Sequence, residues 1–119
     1  MIARAQADGR RVLYRPKKAD GRVPSGVPVS AGGHIDMALR GASAVVTWHS
    51  NVAVDAIRMG IPAICRDGAA ASVCGSEWRP DLAPLDEATR RQFLANLAWF
   101  QWLPNEAKAC WRWLLEVLA

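Results

Sequence analysis

The chain has 119 residues, of which 51% are hydrophobic and 22% charged, and its formal net charge at pH 7 is +4. One domain of this length buries roughly two-thirds of its unfolded surface, and no run approaches the ~20 apolar residues of a membrane span. Residues 1–11 lack the apolar stretch of a secretory signal, so we expect a cytoplasmic protein. The modest charge slightly favours phosphorylated or polyanionic ligands, whereas no Lys/Arg block is long enough to indicate nucleic acid as a partner.

The amino-terminal third predicts two short helices on either side of a basic turn and a loop. Residues 1–8 predict one or two helical turns that end at Gly9, and Arg11–Arg15 predicts a strand that leads into residues 16–18. Residues 19–33 are rich in Gly, Pro and Ser and predict a long loop. A short helix follows over residues 34–40. His34 is expected to begin this helix rather than to act as a catalytic base.

Residues 43–67 predict a tight strand–helix–strand unit around which the chain is organised. Ser43–Trp48 is a β-branched apolar run that predicts a buried strand, and it stops at the polar turn 49–51. Ser50 is a good helix N-cap, Gly60 stands where a left-handed residue ends a helix, and Ile61–Cys65 predicts the next strand. Two strands joined by one short helix are expected to pair in parallel.

The polar turn lies at the carboxyl end of the first strand, where ligands bind in open α/β sheets. A helix that begins there is expected to present free N–H groups that suit a phosphate. Ser50, Asn51 and His49 would add side-chain hydrogen bonds, and Asp55 would accept from ribose hydroxyls. The alternative stays open that Ser50 is only a cap, His49 a surface residue and Asp55 a solvated carboxylate.

The string Thr47–Ala56, TWHSNVAVDA, followed by GIPAI over residues 60–64, resembles the donor-binding half of GT-B glycosyltransferases of the bacterial capsule-polysaccharide and phage-borne types. The resemblance covers roughly residues 11–102. It implies that the turn of Ser50 and Asn51 holds donor phosphate and that Asp55 holds ribose, although many relatives have the longer Glu there.

The basic turn after the first predicted strand is also similar to these enzymes. In this family a strand delivers a basic tip toward the donor site, so the resemblance implies that Arg15, Lys17 and Lys18 neutralise a diphosphate. A solvated basic turn is the equal alternative. The nucleotide-activated sugar is the implied ligand.

The length of the chain accounts for only one of the two domains of a GT-B enzyme. The acceptor-binding half, which commonly carries the catalytic base, is missing from this sequence, and only His34 and His49 are candidates for a base. The chain is therefore expected to be a fragment, a truncated product or one half of a split enzyme that needs a partner chain or an amino-terminal domain. Its catalytic residues, and whether it is an enzyme by itself, stay open.

From Asp86 onward the sequence predicts two helices. Asp86 caps a helix that runs to about Phe100, and a second helix begins near Pro104. We expect a hairpin in which four tryptophans form core, and the alternative is that they form a surface for another domain or subunit; they are Trp99, Trp102, Trp111 and Trp113. The predicted fold is thus a three-layer, Rossmann-like α/β domain over residues 1–85 with a short parallel sheet, and a helical hairpin over residues 86–119 packed on it.

The cysteines and glycines indicate which chemistry to exclude. Cys65, Cys74 and Cys110 form no C-x-x-C pair, so neither a disulfide framework nor a metal site is expected. Cys65 and Cys110 are interpreted as small core residues, and Cys74 as the most exposed of the three. No G-x-G-x-x-G follows a strand, so no dinucleotide cofactor is expected.

Three functions remain after these exclusions. The first is the nucleotide-sugar-binding half of a glycosyltransferase. The second is a non-catalytic interaction module on the same scaffold, which docks through its Trp-bearing helices. The third is a phage protein associated with nucleic acid, against which the lack of a basic stripe argues.

Overall fold

The computed structural model describes residues 1–17, 21–30, 32–99, 101 and 104–118. Within them the chain is a small mixed α/β protein with a two-stranded parallel sheet, α-helices and one short 3₁₀ turn at Pro104–Glu106. None of the described helices combines the length and apolar character needed to cross a membrane. The elements in chain order are α1 Ile2–Ala7, α2 Ile35–Leu39, β1 Val45–Thr47, α3 Val52–Arg58, β2 Ala63–Cys65, α4 Glu87–Trp99 and α5 Ala107–Leu118.

The predicted strand–helix–strand unit is present. β1 and β2 pair in parallel, with Val46 opposite Ile64, and α3 contacts both strands. Both strands are shorter than predicted, with three residues each. β2 begins only after Pro62, which has no N–H to donate to the ladder, although its carbonyl oxygen accepts from the Val45 N–H at 2.9 Å.

α3 ends in the left-handed turn that its sequence predicts. Gly60 has φ +72°, its N–H donates to the Ile57 carbonyl at 3.0 Å, and the Ile61 N–H donates to the Ala56 carbonyl at 2.8 Å. These two bonds form a Schellman motif, which satisfies carbonyl groups that the end of a helix leaves free. The chain thereby reverses within two residues, and this is why so short a connection leads into β2.

The core of this unit is formed by β2 and by small residues of α3. Ile64 is fully buried, and Ala53 and Ala56 on the facing helix are buried as completely. Because alanine has no long side chain, the helix backbone lies close against the strands. Leu39 of α2 is also buried, and α2 contacts α3. Every residue of β2 is buried, as is typical of a central strand.

The sheet is smaller than the predicted three-layer arrangement. β2 has one further parallel bridge, between Ile64 and Gly75. The predicted strand Arg11–Arg15 contributes a single bridge, from Tyr14 to Val29, and no described ladder joins it to β1 or β2. Pro16 follows that segment and Pro28 precedes Val29, and each removes an N–H that a longer ladder requires.

Contacts within the chain divide it into two compact units, Met1–Leu85 and Asp86–Ala119. In the second unit, Asp86 begins α4 as predicted: its carboxylate accepts from the Thr89 N–H at 2.9 Å and from the Thr89 hydroxyl at 2.6 Å. These hydrogen bonds lower the pKa of Asp86. Phe93 is the buried residue of α4. The link between α4 and α5 includes residues outside the described set, so the hairpin stays a prediction.

The prediction that the tryptophans mainly form core is wrong for two of them. Trp99 and Trp111 are each 67% exposed, while Trp113 is half-buried. Trp102 lies outside the described residues. Helical spacing predicts that a face is apolar, but it carries no information on whether another element covers that face. α5 has no buried residue among those described.

Candidate functional site

The turn between β1 and α3 is built from its own hydrogen bonds. The Ser50 N–H donates to the Thr47 hydroxyl at 3.2 Å, and the Ser50 hydroxyl accepts from the Val52 N–H at 3.3 Å. The Ser50 hydroxyl therefore takes one of the first N–H groups of the helix, as predicted. Asn51, rather than Ser50, is the residue at the N-cap, and its side chain forms no capping bond.

The first turn of α3 is more fully satisfied than predicted. Besides the Val52 N–H, the Ala53 N–H donates to the Ser50 carbonyl at 3.1 Å and the Val54 N–H donates to the Asn51 carbonyl at 2.9 Å. The expectation of several free N–H groups is therefore corrected, because the turn itself uses them. A ligand at this position would be bound mainly by the side chains of residues 49–51, all three of which are exposed.

A second turn lies beside the first at the same edge of the sheet. The Trp48 carbonyl accepts from the Arg66 N–H at 3.1 Å and from the Asp67 N–H at 2.8 Å. Gly68, with φ +88°, passes so close to His49 that a Cβ at position 68 would lie 3.5 Å from the His49 carbonyl oxygen. The carboxyl ends of β1 and β2 therefore form one continuous edge.

Sequence reasoning did not assign a role to the aromatic and basic pair at this edge. Trp48 is 60% exposed, and the Arg66 guanidinium carbon lies 5.2 Å from its ring centroid. A cation in this position is attracted by the face of the indole. In the parallel register Thr47 lies opposite Cys65, so Trp48 and Arg66, the next residue of each strand, are neighbours. This contact was not predicted because it depends on the register of the two strands, which a single sequence does not give.

The remaining predicted site residues are less closely associated with this edge. Asp55 lies in the first turn of α3 and is half-buried. The Arg15 guanidinium donates to the Gly33 carbonyl, so it holds the end of the 21–33 segment. Lys17 is exposed. Among the described residues no hydrogen bond or ion pair joins Arg15 or Lys17 to the turn 49–51, and Lys18 lies outside the described set.

His34 begins α2, as predicted, and its Nδ1 accepts from the Asp36 N–H at 3.3 Å. This hydrogen bond occupies the lone pair of Nδ1, which is the atom that would act as a base on that side of the ring. His34 is also 3.6 Å from the Asp36 carboxylate. The structure thus gives His34 the local role of a helix cap.

The cysteines differ in environment. Cys65 is buried, and its thiol donates to the Asp67 carbonyl at 2.8 Å, which agrees with the core role predicted for it. Cys74 and Cys110 are both half-buried, so Cys74 does not stand out as the exposed one. Burial, and secondarily the nearby Cys65, raises the pKa of Cys74 to about 11. A thiol with so high a pKa is a poor nucleophile near neutral pH.

No cluster of three or more His, Cys, Asp or Glu side chains suited to a metal ion occurs in the described part of the chain. Comparison of the chain with protein-family models, with curated proteins and with solved structures gave no match. The comparisons thus identify no family, and the resemblance to GT-B enzymes rests on the sequence motif alone.

Proposed function

We propose that the chain is the donor-binding half of a GT-B-type glycosyltransferase of the bacterial or phage-borne kind. It binds the phosphate-bearing part of a nucleotide-activated sugar at the edge formed by residues 48–51 and 66–68. The observation that carries the proposal is the joining of these two turns through the Trp48 carbonyl at the carboxyl ends of parallel strands. Such an edge is the usual ligand position in open α/β proteins.

In this proposal the side chains of the turn do most of the recognition. The hydroxyl of Ser50, the amide of Asn51 and the imidazole of His49 are the donors to phosphate, and all three side chains are exposed. Arg66 adds a guanidinium at the same edge, and a guanidinium binds phosphate with strong, charge-assisted hydrogen bonds. Asp55 is the proposed acceptor from ribose.

The net charge of the chain lies on the first unit, and this supports an anionic ligand there. Residues 86–119 contain four acidic and four basic residues, so the formal charge of +4 belongs to residues 1–85. Arg15 and Lys17 contribute to this charge and are proposed as further contacts to a diphosphate. A positive surface raises the local concentration of an anionic ligand.

The proposal also includes the finer features of the fold and its partner. The β1–α3–β2 unit, extended by the bridge at Gly75, is proposed as the nucleus of a Rossmann-like sheet. A separate domain or chain supplies the acceptor-binding half, and the catalytic group is not assigned to this chain. The cytoplasmic location stays a prediction.

The test is a titration of ¹⁵N-labelled chain with UDP, CMP, CDP and GDP, followed by amide chemical shifts. We expect shifts concentrated at residues 48–51, Asp55 and 66–68, with a Kd near millimolar, because a few exposed hydrogen bonds amount to about −4 to −5 kcal/mol. Additional shifts near Arg15 and Lys17 would add the basic turn to the site. The nucleotide that binds most tightly identifies the donor class.

Matched variants make this test specific. Ser50→Ala and Asn51→Ala are expected to weaken binding several-fold, whereas Ser43→Ala, an exposed serine before the amino end of β1, leaves it unchanged. The amide spectrum of each variant shows whether the fold is retained. The proposal fails if all four nucleotides are silent at about 10 mM, or if Ser43→Ala weakens binding as much as Ser50→Ala does.

A second candidate function is an interaction module, and the exposure of the apolar side chains on α5 favours it. This function involves the second unit, so it is independent of nucleotide binding on the first. Loss of one activity by substitution is expected to leave the other intact.

A further inference from the structure

Trp48 contacts both the backbone and the side chain of Arg66. The Arg66 N–H donates to the Trp48 carbonyl at 3.1 Å, and the guanidinium carbon lies 5.2 Å from the centroid of the indole ring. A cation within about 6 Å of an aromatic ring is attracted by the electron-rich face of that ring. Both contacts lie within the first unit, Met1–Leu85. The residue that follows β1 therefore fixes the residue that follows β2.

The guanidinium of Arg66 keeps donors for a ligand. Within the part of the chain that the structure describes, it forms no hydrogen bond and no ion pair, whereas the guanidinium of Arg58 pairs with Asp36. The indole supplies an aromatic face and no acceptor oxygen. N–H groups of the Arg66 guanidinium thus stay available to a phosphate, which such groups bind with strong, charge-assisted hydrogen bonds.

An acidic neighbour shows what the indole prevents. Asp67 follows Arg66 and is exposed, but its carboxylate accepts from the Gly68 N–H at 2.7 Å and makes no described ion pair with Arg66. An arginine without a fixed contact would be free to turn toward this carboxylate, which would occupy its donors and offset its charge. The indole instead holds the guanidinium against the residue that directly precedes the turn 49–51.

We propose that Trp48 is a positioning residue, which holds the Arg66 guanidinium at the edge of the sheet so that it binds the phosphate of the ligand. The inference rests on the proposed function, because it concerns the same ligand at the same edge. Trp48 acts through Arg66, and the attraction between cation and indole face supplies the orientation. Lysine is no substitute for Arg66 in this role, since an ammonium group lacks the planar fork of donors.

The first measurement is made by NMR on the chain without ligand. The ring current of the indole is expected to shift the protons on Cδ of Arg66 upfield. This shift should be largely retained in Trp48→Phe and lost in Trp48→Leu, because only an aromatic side chain supports the contact. Trp111→Leu is the matched control, since Trp48 is 60% and Trp111 67% exposed, and it should leave the Arg66 signals unchanged.

Binding of UDP and of inorganic pyrophosphate then tests whether Trp48 acts through Arg66. Arg66→Gln is expected to raise the Kd of both ligands about tenfold, and Trp48→Leu about two- to fivefold. Trp48→Phe should restore most of the affinity, and Trp111→Leu should leave it unchanged. In a chain that already carries Arg66→Gln, Trp48→Leu should weaken binding no further, because the group that it positions is gone. The amide spectrum of each variant shows whether the fold is retained.

The outcomes separate this inference from the proposed function. If Ser50→Ala weakens binding of both ligands and Trp48→Leu does not, the inference is overturned and the proposed function stands. Additive effects of Trp48→Leu and Arg66→Gln would also overturn it, as would an Arg66 signal that Trp48→Leu leaves in place. A loss of affinity for UDP but not for pyrophosphate in Trp48→Leu would overturn it in favour of direct stacking on the base. If neither ligand binds to the unmodified chain, both the proposed function and the inference fail.

Discussion

Replacement of Ile64 tests whether β2 is the covered strand of the first unit. Ile64 has no exposed surface, whereas Val46, its neighbour in the parallel register, is 48% exposed. Ile64→Ala removes three carbon atoms at about 0.8 kcal/mol each and leaves a cavity, so we expect a total loss of about 3–4 kcal/mol in the free energy of unfolding. Since α3 approaches β2 through alanines, there are few long side chains to fill the space. Ile64→Val is expected to cost about 1 kcal/mol.

Val46→Ala is the control at the same level of the sheet. Because Val46 is half exposed, its replacement is expected to cost less than about 1.5 kcal/mol. Urea denaturation measures the global effect. Hydrogen exchange of the Cys65 amide, which donates to the Gly75 carbonyl at 3.1 Å, reports on the first unit specifically. Equal losses for Ile64→Ala and Val46→Ala would contradict the reasoning, because the two positions would then have the same environment.

Three further predictions concern a turn, a cap and a thiol. Gly60→Ala is expected to cost about 1–2 kcal/mol because φ is +72° there, whereas Gly41→Ala, without a positive φ, should be neutral or slightly stabilising in the same urea experiment. The hydrogen bonds that lower the pKa of Asp86 stabilise the folded chain above the pKa that this carboxyl has in the unfolded chain, and this stability is lost as the pH falls through the folded-state pKa. The helical circular dichroism signal should therefore weaken on acidification in the unmodified chain and change less with pH in Asp86→Asn. Cys74, with a pKa of about 11, should react with iodoacetamide at about pH 8 roughly a hundredfold more slowly in the folded chain than in urea, as measured by mass spectrometry; equal rates would contradict its burial.

The strand–helix–strand unit was predictable because its signals are local. A β-branched run, the capping hydroxyl of Ser50 and the left-handed Gly60 each act over a few residues, and all are present in the structure. The start of α3 was misplaced by one residue, since Ser50 and Asn51 are both suited to that position. Local signals did not predict which distant segments pair with one another. The contact of Arg66 with Trp48 depends on the register of two strands, and the failure of residues 11–15 to extend the sheet depends on partners elsewhere.

The apolar residues of α5 illustrate a different limit of sequence reasoning. The spacing of its apolar residues was identified correctly, and the interpretation of Trp111 as core followed from the frequency with which such stripes are buried. Burial, however, is a property of what lies opposite, and the described residues leave Trp111 and Leu118 exposed. The same stripe is therefore a core inside one chain or an interface between two, and the spacing of its residues alone does not distinguish these outcomes.

The two proposals assign opposite physical characters to the two units. The net charge lies on residues 1–85, whose proposed ligand is anionic, whereas residues 86–119 have no net charge and carry the exposed apolar side chains of α5. Added salt screens interactions between exposed charges beyond about 10 Å at 0.1 M, whereas it leaves apolar association intact or strengthens it. Nucleotide affinity should therefore fall with salt, whereas binding of a partner through the apolar side chains of α5 should persist. A nucleotide affinity that does not change with salt would contradict the assignment of the phosphate to an exposed basic edge.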